Sequence, residues 1–410
     1  MTPSTAVRVP PGRVLALGGL SAFGPLALDL YLPALPQIAE DLRVPEASAQ
    51  LTLSTCMVGL GLGQLLVGPV TDRVGRRRPL LIGVALFAVT AALCALAPSI
   101  EVLLALRLLA GLAGGAGLVI ARAMVRDLYD SVAAARVFAL LMLVSGTAPV
   151  AGPVLGGQLL RVTDWRGVFG ALAVIGAVLF AAALTQRETL PVERRRAGGL
   201  RVVGATLRDV ARDRTFLLPA LVQGLGMCAM FTYIAMGSFV LQDPALVDGA
   251  LDPQGYAVVF AVNALAIVLA GRVGAWLVGR VGPRRLLGAG VVLELAAALA
   301  LLAGALASRS VWALLPPLFV LVSCTGLLLP NATALALAGQ GHRAGTASAL
   351  LGVVQFAFAA AVPPLASLGG VTAVVMAVTT LGSALAAGLA YLAVLRTRVP
   401  EPARAPVDPA

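Results

Sequence analysis

Asp29 sits inside a long apolar run, Leu26-Ala-Leu-Asp29-Leu-Tyr31-Leu-Pro33-Ala-Leu-Pro36. A carboxylate in hydrocarbon is expensive unless it is paired, protonated or hydrated. Desolvation favours the neutral form of a carboxyl and a nearby cation favours the charged form. A group balanced between the two takes and releases a proton as its surroundings change. Asp29 is therefore a candidate for proton or substrate handling; the alternative is a fixed structural ion pair. Arg107 is its expected partner. With a first span over 14–35 and a fourth over 101–123, both residues fall about six positions from the same end, ~9 Å below one surface. The alternative for Arg107 is a side chain that snorkels to that surface. Glu294 and Arg272 make a second expected pair at matching depth, read as a structural ion pair.

The elements that carry these residues follow from composition. Of 410 residues, 59% are hydrophobic and 12% charged. Soluble chains carry about a quarter charged residues, so a soluble helical protein is excluded. Spans of membrane length fall at roughly 14–35, 50–70, 79–98, 101–123, 135–160, 167–186, 215–241, 255–278, 286–307, 311–338, 345–367 and 371–395. Each is expected to be helical, because only a helix satisfies its own backbone in lipid. The chain thus reads as an all-α membrane protein.

The net charge is +11, and every basic residue is arginine. The arginines cluster on alternate loops, with no basic stripe interleaved with aromatics, so nucleic acid is not an expected partner. Arg73, Arg76, Arg77, Arg78, Arg122, Arg126, Arg280, Arg284, Arg285 and the run at 187–214 all fall on one side, and the opposite loops hold only Arg43, Arg161, Arg166 and Arg309. That asymmetry puts both termini in the cytoplasm. Residues 1–186 form an expected first half, 187–214 a linker with a short amphipathic helix, 215–395 a second half and 396–410 a tail. Cys56, Cys94, Cys228 and Cys324 lie in apolar runs as packing residues, with neither a disulfide framework nor metal-ligand spacing. His342, the lone histidine, reads as a loop residue. No nucleophile–base pair or nucleotide loop is visible, so neither an enzyme nor a cofactor is expected.

The loop Gly68-Pro-Val-Thr-Asp72-Arg73-Val-Gly75-Arg76-Arg77-Arg78 recurs, weakened, as Gly279-Arg280-Val-Gly282-Pro-Arg284-Arg285. A basic loop repeated once per half marks a transporter built from two related halves. The first copy resembles the loop after the second helix of the major facilitator superfamily. Leu103-Leu-Ala-Leu-Arg107-Leu-Leu-Ala-Gly111 resembles that family's fourth-helix motif linked to proton transfer. The run Gly146-Thr-Ala-Pro149-Val-Ala-Gly152-Pro153-Val-Leu-Gly156-Gly157 resembles its fifth-helix antiporter motif, although Ala148-Pro149 stands where Gly-Pro is usual. Asp29 to Pro36, Gln50 to Thr55, Ala121 to Tyr129 and Glu188 to Arg195 resemble the bicyclomycin-resistance branch of twelve-helix drug:proton antiporters.

The resemblance implies the major facilitator fold, two pseudo-symmetric six-helix bundles, in the inner or plasma membrane. It implies a monomer whose partners are a small-molecule drug, protons and the lipid bilayer. Alternating access would carry the drug between the halves. Asp29 and Arg107 would couple protons. Tyr31, Gln64, Gln223, Phe231, Tyr233, Asn263, Asn331 and Gln355 would line the substrate path. Gly68, Asp72, Arg73, Gly75, Arg76, Arg77 and Asp127 would form a cytoplasmic gate, with Arg76 on Asp127 and Asp72 near the eleventh helix at 344–346. Gly279 replaces the gate aspartate in the repeat, so the full gate belongs to the first half alone. The competing readings are a proton-coupled exporter of one natural metabolite or self-made antibiotic, and an uptake symporter.

Overall fold

The computed structural model describes residues 11–129, 151–195, 200–340 and 343–397, together with Val137 and Leu141. The first bundle comprises α1 (Pro11–Asp29), a short α2 (Leu35–Asp41), α3 (Glu46–Val74), α4 (Arg77–Ala95), α5 (Ile100–Leu128), α6 (helical over 151–159) and α7 (Trp165–Leu184). After α8 (Leu200–Arg212) the second bundle runs through α9 (Arg214–Gln242), α10 (Pro253–Val281), α11 (Pro283–Ala307), α12 (Val311–Leu337), α13 (Ala344–Ala366) and α14 (Ala373–Arg396). Ten of these helices are long and apolar enough to cross a bilayer, judged on the described residues. The fold is all-α, two pseudo-symmetric six-helix bundles.

Helix boundaries have local causes. α3 and α10 both end on a glycine with positive φ, Gly75 at 98° and Gly282 at 86°. Only glycine takes this conformation without penalty, which is why the repeat keeps it in both loops. Asp164, Asp213, Asp252 and Thr372 each accept an amide hydrogen from the first turn of the helix that follows, caps worth about 1 kcal/mol apiece.

The first helix departs from expectation. It ends at Asp29 and does not continue to 35. Pro33 and Pro36 cannot donate to a helical ladder and disfavour α geometry in the residues before them. The chain turns at Tyr31 and passes through a 3-10 turn at Leu32–Ala34 into α2.

Packing repeats across the bundles. α3 lies on α5, and α10 on α12. A Cβ on Gly111 would overlap the Cys56 carbonyl, and one on Gly326 the Ile267 carbonyl. Small residues let these backbones touch where lipid supplies no hydrophobic drive. α3 and α13 form the main described contact between the bundles. α8 docks on the second bundle: Val210 is buried with Phe216, Ala220, Ala336, Ala347 and Leu351. Gln340 Nε2 donates to Asp213 Oδ2 at 2.9 Å just beyond it. The amphipathic helix expected in the linker is thus present, with Val210 packed against protein.

Candidate functional site

Asp29 is the last residue of α1 and is 7% exposed. Gly152 of α6 packs on it, and Gly156 packs on Leu30, the next residue. A Cβ at Gly152 would lie 2.9 Å from the Asp29 Cβ, and one at Gly156 would overlap the Leu30 carbonyl. Pro153 is buried beside them. The expected antiporter motif therefore meets the expected proton carrier directly. Its other members, Gly146 and Pro149, lie outside the described residues.

Arg107 is 1% exposed. Its guanidinium lies 4.3 Å from the centre of the Tyr31 ring and 5.6 Å from that of Phe169. Nη2 donates to the Ala27 carbonyl at 2.9 Å, and Nε has no partner. The expected ion pair with Asp29 is absent: the ion pairs among the described residues are Arg76–Asp72, Arg76–Asp127 and Arg166–Asp41. The early end of α1 accounts for this. The helix presents its terminal carbonyls, the negative end of its dipole, to Arg107, and two aromatic faces complete the cation's surroundings. Tyr31 is fully buried, with its hydroxyl 2.9 Å from Thr52 Oγ1. Phe169 and Thr52 were not among the expected site residues; a ring stacked from a distant helix leaves no spacing signal.

The polar residues expected along the path pair with one another. Gln223 Nε2 donates to Gln355 Oε1 at 3.0 Å, and Thr333 Oγ1 to Gln223 Oε1 at 2.9 Å. Asn263 Nδ2 donates to the Tyr233 hydroxyl at 3.0 Å, and Tyr233 stacks on Phe260. Phe231 approaches Phe356. Gln64 of α3 faces Gly352 of α13, where a Cβ would lie 3.1 Å from its Oε1. Asn331 instead donates to Leu327 in its own helix. The second expected ion pair is also absent. Arg272 is exposed and Glu294 is 1% exposed, so the two side chains leave α10 and α11 toward different surroundings.

At the end of the bundle that carries α8, Arg76 gathers the expected gate. It pairs with Asp72 at 2.6 Å and Asp127 at 3.1 Å, and donates to Thr71 Oγ1 at 2.8 Å. Arg73 is exposed, and Gly68 faces Val119. Asp72 satisfies itself on Arg76, one turn along the chain, and among the described residues no hydrogen bond or ion pair joins it to α13. The expected contact with 344–346 is therefore not made here.

Glu188 completes this cluster. Its carboxylate accepts the backbone N–H groups of Arg76 at 2.8 Å, Arg77 at 3.2 Å, Thr189 at 3.0 Å and Leu190 at 3.0 Å. Burial works to raise its pKa, but these four donors prevail and hold it below the usual glutamate value. Arg77 Nε donates to the Gln186 carbonyl at 2.8 Å, and Thr189 Oγ1 to Asp127 at 3.1 Å. The segment after α7 is thus tied to the loop between α3 and α4.

At the opposite end the bundles meet. Ser367 Oγ donates to Gln50 Oε1 at 2.6 Å, and Gln254 Nε2 to the Gly157 carbonyl at 2.9 Å. A Cβ on Gly157 would lie 3.0 Å from the Ala257 Cβ. Among the described residues no cluster of metal-ligating side chains occurs.

Known proteins place this architecture. The Major Facilitator Superfamily profile matches residues 17–364. The chain is 37% identical to the uncharacterized MFS-type transporter YdgK of Bacillus subtilis, over 93% of this chain and 95% of that one. It is 29% identical to the bicyclomycin resistance protein homolog of Haemophilus influenzae, covering 85% and 86%. It is 32% identical to multidrug resistance protein D of Escherichia coli, covering 83% and 85%. The crystal structure of the human organic anion transporter MFSD10 superposes with a TM-score of 0.68 at 23% identity, over 94% of this chain and 99% of that one. The chain is a multi-pass membrane transporter and belongs to the major facilitator superfamily.

Proposed function

We propose that the protein exports small amphipathic drugs in exchange for protons. The observation that carries this reading is Asp29: a carboxyl buried at the broken end of α1, packed on Gly152 of α6 and without an ion-pair partner among the described residues. Such a group gains a proton in one set of surroundings and loses it in another. The resistance-named relatives supply the class of cargo.

Residues 1–186 and 215–395 act as the two moving halves, joined by 187–214. The arginine asymmetry assigns the α8 end, with both termini, to the cytoplasm of a cell-membrane protein. On that assignment this conformation is closed outside, where Gln50 meets Ser367 and Gly157 meets Gln254. The Arg76 cluster belongs to the first half and its linker. It is free to engage α13 when the transporter turns outward. Protonation of Asp29 from outside neutralises a charge beside the Gly152–Gly156 face, and release inward restores it. Gln223, Gln355, Asn263 and Tyr233 offer hydrogen bonds along an otherwise apolar path, which suits neutral or weakly charged drugs. The unit of transport is one chain in the bilayer.

A drug-susceptibility panel on expressing cells, followed by proton release from loaded vesicles with each hit, tests the reading. Resistance together with drug-driven proton movement supports it. Drug accumulation in the direction of proton entry contradicts it.

A further inference from the structure

Glu294 lies in the middle of α11 and is 1% exposed; its Oε2 has no hydrogen-bond partner. Its expected cation, Arg272 on α10, is exposed. Both carboxyl oxygens face α9: a Cβ on Gly226 would lie 3.3 and 3.4 Å from them. Among the described residues, the titratable side chains near it on the neighbouring helices are the buried thiols Cys228 on α9 and Cys324 on α12. On α14, Ser383 donates to Cys228. Tyr391 of that helix is turned to the Arg284 carbonyl at the α8 end. Among the described residues no cation pairs with it, and an ionised carboxylate in so apolar a position is strongly disfavoured, whereas a carboxylic acid is tolerated.

The position is also connected. Gly226 stands one turn from Gln223, whose amide group joins Gln355 of α13 and Thr333 of α12. α13 is the helix that packs across onto α3. A rigid-body shift of α9 would therefore change both the surroundings of Glu294 and the contact between the halves.

We propose that Glu294 is a second proton-binding carboxyl of this transporter, loaded while Gly226 packs against it and unloaded when α9 moves away. The coupling half of this proposal rests on the proton-antiport reading above; proton binding does not. Infrared spectra of the wild-type protein in liposomes, with and without carbon-13 glutamate, test the binding without any variant. The expected result is a protonated-carboxyl band at neutral pH that shifts with glutamate labelling. It should vanish in Glu294→Gln and survive in Asp29→Asn. No glutamate-sensitive band at neutral pH overturns the proposal. For coupling, the pH dependence of export should fall from two titration steps in wild type to one in Glu294→Gln. An unchanged profile in a folded Glu294→Gln protein overturns the coupling. Wild-type protein with no proton-driven export would instead overturn the antiport reading, with the infrared band still deciding proton binding.

Discussion

Nη2 of Arg107 donates to the Ala27 carbonyl at 2.9 Å, and the guanidinium does not pair with Asp29 two residues further on. Arg107 is held by the end of α1 and by two rings, so the cation and the carboxyl are separate devices in this conformation. Arg107→Lys keeps the charge but loses the planar fork and the stack on Tyr31. A desolvated cation–π contact is worth about 2 kcal/mol. The variant should therefore unfold at lower temperature in detergent and export more slowly. Wild-type behaviour in both assays would contradict the role given to the rings.

The face between α6 and α1 should be intolerant of a single methyl group. A Cβ at Gly156 overlaps the Leu30 carbonyl, which is backbone and cannot swing aside. Overpacking of this kind costs about 1–3 kcal/mol. Gly156→Ala should lower both thermal stability and export. Gly170→Ala is the control, since a Cβ there meets nothing within 4 Å. Equal effects of the two substitutions would remove the packing argument.

Glu188 gives a pH dependence with a defined sign. Its folded pKa is depressed, so its contribution is fully present above the ordinary glutamate value of 4.5 and is lost as pH falls through the lower folded value. Hydrogen exchange at the Arg76 and Arg77 amides reads this directly. Protection at those amides should persist at neutral pH and weaken in that acid window. Glu188→Gln should show weakened protection at neutral pH already. Protection indifferent to the substitution would show that the linker is anchored by other contacts.

Part of this site was legible in the chain. The repeated glycine at 75 and 282 marked both helix ends, and Arg76 and Asp127 were matched correctly although they lie on different helices. Of the run that resembles the antiporter motif, Gly152 packs on Asp29 and Gly156 on Leu30. The two ion pairs expected from depth, Asp29 with Arg107 and Glu294 with Arg272, do not form among the described residues. Hydropathy sets the depth of a residue only if the helix continues, and Pro33 and Pro36 end α1 early. Arg272 and Glu294 share a depth but not a face, and an apolar run does not say which way each residue points. Glu188 accepts amides more than a hundred positions away, a contact that only the folded chain defines.

The proposed cargo preference rests on the residues expected along the path. Gln223 with Gln355 and Asn263 with Tyr233 are neutral pairs, and Arg107 is buried against rings. Expressing cells should tolerate neutral or weakly charged drugs, of the bicyclomycin or chloramphenicol kind, better than control cells. Multivalent cations should show little protection. A panel in which only dicationic biocides lose potency would contradict this. A single exported metabolite with no drug phenotype would favour a dedicated exporter.

The central claim is that Asp29 carries the coupled proton. Purified Asp29→Asn protein in liposomes, with a hit drug and an imposed pH gradient, tests it most directly. Uphill export should be abolished while downhill drug exchange continues in part. Full proton-driven export by Asp29→Asn would remove Asp29 from the mechanism.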